Sequence, residues 1–101
     1  MKNEKLKVVI ISEGDNVGIT LAEPLVKGEE IIINGQNIIV LEPIPVGHKI
    51  ALCDIHKNEY VKKFGEVIGR AKCDIKIGEH VHVHNVEDIT EQLSAQSMER
   101  N

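Results

Sequence analysis

The segment Ala51-Leu52-Cys53-Asp54-Ile55-His56-Lys57-Asn58-Glu59-Tyr60-Val61 returns twenty residues later as Ala71-Lys72-Cys73-Asp74-Ile75-Lys76-Ile77-Gly78-Glu79-His80-Val81. Alanine, cysteine, aspartate, isoleucine, glutamate and valine recur in register. Asn58 stands where the second copy has Gly78, and these residue types enter left-handed turn conformations most readily. Each copy therefore reads as strand, tight turn, strand. Weaker echoes, Leu25-Val26-Lys27-Gly28-Glu29-Glu30-Ile31 and Ile44-Pro45-Val46-Gly47-His48-Lys49-Ile50, again begin a strand just after a glycine. The spacing is too irregular for a solenoid. It predicts one mainly β domain of short strands that turn at each Gly or Asn.

Strands are expected at Leu6 to Ser12, Asn16 to Leu21, Ile31 to Ile33, Asn37 to Leu41, His48 to Cys53, Tyr60 to Lys63, Arg70 to Asp74 and His80 to Asn85. Asn34-Gly35 is the strongest hairpin signal, Pro43-Ile44-Pro45 a stiff connector, and Gly65-Glu66-Val67-Ile68-Gly69 a turn. The domain runs over 1–86 and a tail over 87–101. In that tail Asp88-Ile89-Thr90-Glu91 has the form of a helix N-cap followed by Glu, predicting a short helix or a disordered segment.

Aromatic residues are limited to Tyr60 and Phe64, so the core must be built from Ile, Val and Leu. A formal charge of −4 from 12 basic and 16 acidic residues excludes the basic surface that nucleic acids require. No run approaches the ~20 apolar residues of a membrane span, and Met1-Lys2-Asn3-Glu4-Lys5 does not resemble a cleavable signal. The expected compartment is the cytoplasm, with Cys53 and Cys73 reduced and acting as small buried hydrophobes.

Gly78-Glu79-His80-Val81-His82-Val83-His84-Asn85 places imidazoles at every second position. An extended strand would put all of them on one face, about 6 to 7 Å apart, while a helix would scatter them. Neutral imidazole is the commonest metal ligand near neutral pH. Three such ligands with an open position make a catalytic metal site, and His48 is a fourth candidate. Against this stands a solvated strand face with no ligand at all. His56 reads as a solvated turn residue.

Asp54 with Asp74, and Glu59 with Glu79, occupy equivalent places in the repeat, which assigns them turn or cap hydrogen bonds. Asp15-Asn16 follows Gly14 in a turn whose side chains can meet a ligand. Lys62, Lys63 and Arg70 fit either a solvated face or contact with an acid's carboxylate. No phosphate loop, dinucleotide fingerprint or Ser/His/Asp order is present.

Gly14-Asp15-Asn16-Val17, Ile44 through Leu52, Lys63 through Gly69 and Asp74 through Asn85 resemble the SAF domain of altronate and galactarate dehydratases, which also occurs as the small subunit of sulfolactate sulfo-lyase. The resemblance covers about Gly14 to Asn85. It implies a β-clip fold and a place in a lyase that removes water, or in one branch sulfite, from a hydroxy acid. A divalent metal, commonly iron, would assist. The chain ends soon after the domain, so it is expected to be a small accessory subunit whose large catalytic subunit is a separate polypeptide. A sugar-acid substrate is expected as well, and self-association into a homo-oligomer is a further option. His48, His82 and His84 carry over as candidates for metal contact. Asp15, Asn16, His48 and Lys63 carry over for substrate contact, and His80 ranks below them. Phe64 replaces a frequent Tyr, and Asn58 a frequent Gly.

Two other classes stay open at this point: a stand-alone module that binds a sugar acid or a metal without catalysis, and a purely structural or oligomerisation domain.

Overall fold

The computed structural model describes residues 7–9 and 12–89. These residues form nine short strands: β1 (Val8–Val9), β2 (Val17–Thr20), β3 (Glu30–Ile33), β4 (Gln36–Ile39), β5 (Lys49–Ala51), β6 (Tyr60–Lys63), β7 (Glu66–Ala71), β8 (His80–Val81) and β9 (Val86–Glu87). They pair antiparallel into three sheets ordered β1-β2-β5-β8, β3-β4 and β6-β7-β9. The mainly β class expected from the repeat is the one observed. Among the described residues no helix is long and apolar enough to cross a membrane.

The repeat becomes a structural rule. Ile55 and Ile75 face each other across a local two-fold, each amide donating to the other's carbonyl at 2.8 and 2.7 Å. Lys57 N–H donates to Asp74 Oδ1 at 2.8 Å, and Ile77 N–H to Asp54 Oδ1 at 2.9 Å. Asn58 N–H reaches Ala71 O while Gly78 N–H reaches Ala51 O. The weaker echoes form a second such pair, with Leu25 and Ile44 exchanging the same reciprocal bonds at 2.9 and 3.0 Å. All four turns put a residue at positive φ: Gly28 at 89°, Gly47 at 87°, Asn58 at 76° and Gly78 at 92°.

Each pair organises an aliphatic core. Leu25, Ile31, Ile38, Val40, Ile44, Ile50 and Leu52 pack with Val8. Val17, Ala51, Ile55, Val61, Ala71, Ile75 and Val81 form the other. Leu25, Ile44 and Ile50 have no exposed surface, and burying each contributes about 1.5–3 kcal/mol. Tyr60 and Phe64 stay outside at 47% and 44% exposure, so the core is aliphatic, as composition requires.

Several expectations need correction. The run from Gly65 to Gly69 is mostly strand, because β7 begins at Glu66 and ends at Ala71, short of the expected Asp74. Gly69 sits inside it because β9 comes close: a Cβ there would lie 2.5 Å from Val86 Cγ1 and 2.7 Å from Glu87 O. Interior strand glycines mark such approaches. Cys53 and Cys73 are exposed and unpaired. The chain bends after Ala51 and Ala71, so Ile55 and Ile75 point inward and the cysteines fall on the outside. Strand β5 stops at Ala51 rather than Cys53 for the same reason.

The expected strand from His80 to Asn85 lasts only two residues, as β8. His82 to Asn85 turns instead, because the buried Asn85 side chain accepts from His82 N–H at 2.9 Å and donates to His80 O at 2.8 Å. The Asn34-Gly35 hairpin forms as expected, with both residues at positive φ. Leu6, Ile10 and Ile11 of the first expected strand lie outside the described residues, as does the expected helix from Thr90 onward. Ile89, just before it, is buried.

Candidate functional site

Two of the turn units bring the histidines together. His48 follows Gly47 into β5, and His80 follows Glu79 into β8. Those strands are neighbours, with Lys49 opposite Val81 and Ile50 opposite His80. His82 is carried back over the same strand pair by the Asn85 turn. His48 Nδ1 lies 2.8 Å from His80 Nε2. The His48 and His82 rings stack with centroids 4.0 Å apart, and His48 and His80 at 5.0 Å. One nitrogen from each of His48, His80 and His82 falls within 4.8 Å of the others.

His84 is exposed, its ring tilted beside His80 at 5.1 Å. The rings therefore converge, but by a turn rather than by strand alternation. The resemblance put His82 and His84 ahead of His80, whereas the turn sets the His80 ring beside those of His48, His82 and His84 and leaves His84 at the edge.

The electrostatics suit neutral imidazoles. Burial, then the charges of His48 and His84, hold His80 below the ordinary histidine range, with Glu42 opposing. Glu42 Oε2 accepts from His80 N–H at 3.0 Å. Burial, then His48 and the Lys49 ammonium, lower His82 as well. Lys49 itself is pushed down by burial and by Lys63. Lys49, His80 as a central member, Glu42 and Asn85 are the participants that sequence patterns understate.

One comparison among the turns singles out His48. In three units a glutamate three residues on accepts the first turn amide: Val26 N–H to Glu29 Oε1 at 3.0 Å, His56 N–H to Glu59 Oε1 at 2.6 Å and Lys76 N–H to Glu79 Oε1 at 2.5 Å. In the fourth unit the amide position is Pro45, which has no N–H to cap, and the glutamate position is His48. The turn no longer needs a carboxylate there, and the side chain is released to meet His80 and His82.

Asp15 and Asn16 are engaged elsewhere. Asp15 accepts from Phe64 N–H and Gly65 N–H, each at 2.9 Å. Those residues form the two-residue turn between β6 and β7 with φ of 57° and 76°. Phe carries a penalty of about 1–2 kcal/mol in that left-handed region, and the carboxylate offsets it by bonding both amides. Asn16 accepts from Lys62 N–H at 2.7 Å and donates to Tyr60 O at 2.9 Å. Lys63 is half-buried, its ammonium 4.9 Å from the Phe64 ring centre. Arg70 pairs with Glu87 at 3.5 Å, and Lys62 is exposed.

The altronate dehydratase of Bacillus subtilis is 47% identical over 75 residues, which is 74% of this chain and 15% of that protein. The galactarate dehydratase (L-threo-forming) of Escherichia coli is 39% identical over 61 residues, 60% of this chain and 11% of that protein. The chain thus spans only a small fraction of the dehydratases it matches. The (2R)-sulfolactate sulfo-lyase subunit alpha of Chromohalobacter salexigens differs in scale: 36% identity over 84 residues covers 77% of this chain and 89% of that subunit. A sequence profile of the altronate/galactarate dehydratase SAF domain matches residues 6–89, and the chain belongs to that family.

Proposed function

We propose that this chain is the small, accessory part of a lyase that eliminates water from a hydroxy acid such as altronate or galactarate, working with a separate large catalytic subunit. In this reading His48, His80 and His82 hold a divalent metal, with iron one candidate, at the face that meets the large subunit. The observation that carries it is the convergence of those three nitrogens within 4.8 Å, on a turn scaffold that elsewhere uses glutamate at the position of His48.

The donor set fits the group. Three imidazole nitrogens lie within 4.8 Å of one another, with His48 Nδ1 and His80 Nε2 2.8 Å apart, and imidazole is an apt donor for a divalent ion. The lowered pKa of His80 and His82 keeps them in the neutral, ligating form at neutral pH. A divalent ion held there would supply Lewis acidity toward a carboxylate or a departing hydroxide. The chain's own residues orient the donors: Asn85 fixes the His82 turn, and Glu42 fixes the His80 backbone. Asp15 and Asn16 enter this reading as the residues that hold the β6–β7 hairpin. The family match to a protein named as a subunit of similar length supports the accessory role. The proposed compartment is the cytoplasm, where exposed thiols such as Cys53 and Cys73 stay reduced.

The test is to co-purify the native large partner, measure bound metal, and assay the complex on aldonic, aldaric and sulfonated hydroxy acids. Elimination of a β substituent from one of them is expected. His48→Ala should lower metal retention more than the roughly 10–100-fold typical of losing an outer-shell partner, with the fold intact. Full activity of the large subunit without this chain would overturn the proposal. Tight sugar-acid binding by the chain alone, with no partner recovered, would favour a stand-alone binding module.

A further inference from the structure

The four turn units share one more contact, and its chemistry changes in the unit that carries His48. In each, the positive-φ residue and the one after it oppose a single residue of the facing segment, the arrangement of a β-bulge. Gly28 N–H donates to Val40 O and Val40 N–H to Glu29 O; Asn58 N–H donates to Ala71 O and Ala71 N–H to Glu59 O; Gly78 N–H donates to Ala51 O and Ala51 N–H to Glu79 O. In the remaining unit Gly47 N–H donates to Thr20 O and Thr20 N–H to His48 O, each at 2.9 Å. All four opposing residues are fully buried. Val40, Ala51 and Ala71 are apolar, whereas Thr20 carries a hydroxyl. Both departures from the rule, His48 for glutamate and Thr20 for an apolar residue, therefore fall on the same bulge.

The fold makes no use of that hydroxyl. Thr20 Oγ1 is buried without a hydrogen-bond partner among the described residues, and valine, which has nearly the same shape, would fill the position without the cost of an unsatisfied polar atom. Register puts the side chain on the histidine side of the sheet. Thr20 shares the face of Gly18, since alternate strand residues point the same way; Gly18 pairs with Ile50, and Ile50 with His80. His48 stands two residues before Ile50 and meets His80 with Nδ1 2.8 Å from Nε2. Thr20, His48 and His80 thus lie on one face, with Ile19 and Lys49 on the other.

The contact between His48 and His80 places one proton between two ring nitrogens. Two imidazole nitrogens that both ligate an ion cannot share that proton, and a ligating imidazole donates its other ring N–H to an acceptor. We propose that Thr20 is a positioning residue for His48, its hydroxyl accepting the His48 ring N–H when that side chain turns from His80 to a divalent ion. This rests on the metal reading proposed above. The unpaired hydroxyl is the form of the site before His48 turns, and it accounts for a threonine where the other bulges place valine or alanine.

The full chain and its Thr20→Val, Thr20→Ser and His48→Ala variants are titrated with zinc by calorimetry and, without metal, unfolded in urea. Thr20→Val is expected to be at least as stable as the parent, because it removes an unsatisfied hydroxyl, yet to bind zinc roughly 10–100-fold more weakly, the scale of losing an outer-shell partner. Thr20→Ser keeps the hydroxyl and should stay within a few-fold of the parent. In the zinc-loaded chain, NMR should show a His48 ring N–H protected from exchange in the parent and the Ser variant, and unprotected in Thr20→Val. Unchanged zinc affinity in Thr20→Val would overturn the role of Thr20 while leaving the metal site standing. Equal losses of stability and zinc affinity in the Val and Ser variants would overturn it as well, by assigning the side chain to packing alone. Zinc binding that is absent from the parent, or that survives His48→Ala, would instead overturn the metal reading, and the proposed role with it.

Discussion

Residues 51–64 and 71–84 are two solutions built on one backbone. Both turn through a residue at positive φ, both use an aspartate to cap the other copy's turn, and both use a glutamate to cap their own. The correspondence reaches beyond the repeated segment. Asn16 bridges Tyr60 O and Lys62 N–H, and Asn85 bridges His80 O and His82 N–H. Leu52 N–H donates to Asn16 O and Lys72 N–H to Asn85 O, each at 2.9 Å. What differs is where the bridging asparagine comes from and which side chains it displays. In the first copy it comes from the bend before β2, distant in sequence, and leaves β6 free to run on into a hairpin. In the second it lies three residues on, so the chain turns at once and gathers His80, His82 and His84. The difference teaches that the scaffold accounts for the aspartates, glutamates and asparagines, and that the candidate chemistry lies at the positions the scaffold leaves unused.

The sharpest way to break the equivalence is at the turn residue. Asn58 and Gly78 share a conformation, but Asn58 is exposed whereas a Cβ on Gly78 would run into the Ile39 carbonyl oxygen at the end of β4. Leu41 N–H also donates to Gly78 O at 2.9 Å, tying the two segments together. Gly78→Asn should therefore destabilise by about 2–4 kcal/mol, in the range of overpacking with backbone strain. Asn58→Gly should change stability by less than about 1 kcal/mol. Urea unfolding of the two variants measures both. Equal effects would mean that packing on β4 does not distinguish the copies.

A smaller and more symmetric effect is expected from the asparagines. Asn16→Ala and Asn85→Ala each remove a donor and an acceptor that hold two backbone groups, costing about 1–3 kcal/mol apiece. If the two positions are structural counterparts, the losses should match within about 0.5 kcal/mol, the usual scatter for independent sites. The readout that separates them is metal affinity, which should fall for Asn85→Ala alone, because that amide sets the positions of His80 and His82. Retained stability in Asn16→Ala would return that side chain to the role of a substrate contact.

Much of this scaffold was legible in the residues. The repeat revealed the turn positions, the capping roles of Asp54, Asp74, Glu59 and Glu79, the Asn34-Gly35 hairpin and the aliphatic core, because those follow from local chemistry at fixed spacing. The histidine geometry was legible only in outline. Alternation of His and Val suggested a strand, but the side chain of Asn85 overrides it with local hydrogen bonds to His82 N–H and His80 O, and the resulting turn makes His80 central and His84 peripheral. The pairing of the two weak echoes, Leu25 with Ile44, was likewise beyond local reading, since it depends on the fold closing around both.

The most delicate contrast lies between Pro45 and the three amides that occupy its place. Glu29, Glu59 and Glu79 each accept a turn amide, and Glu29 also pairs with Lys7, so Glu59 and Glu79 are the cleaner probes. Glu59→Ala and Glu79→Ala should each cost about 1 kcal/mol, as loss of a cap does. His48→Ala should cost less than about 0.5 kcal/mol, since Pro45 presents no donor and the histidine caps nothing. The double variant Pro45→Lys with His48→Glu should rebuild the fourth turn in the image of the others: folded with stability close to that of the parent chain, yet unable to hold metal. If His48→Glu alone proves as stable as the double variant, the new carboxylate gains nothing from a restored amide, and the release of His48 by Pro45 is not the reason that position carries a histidine.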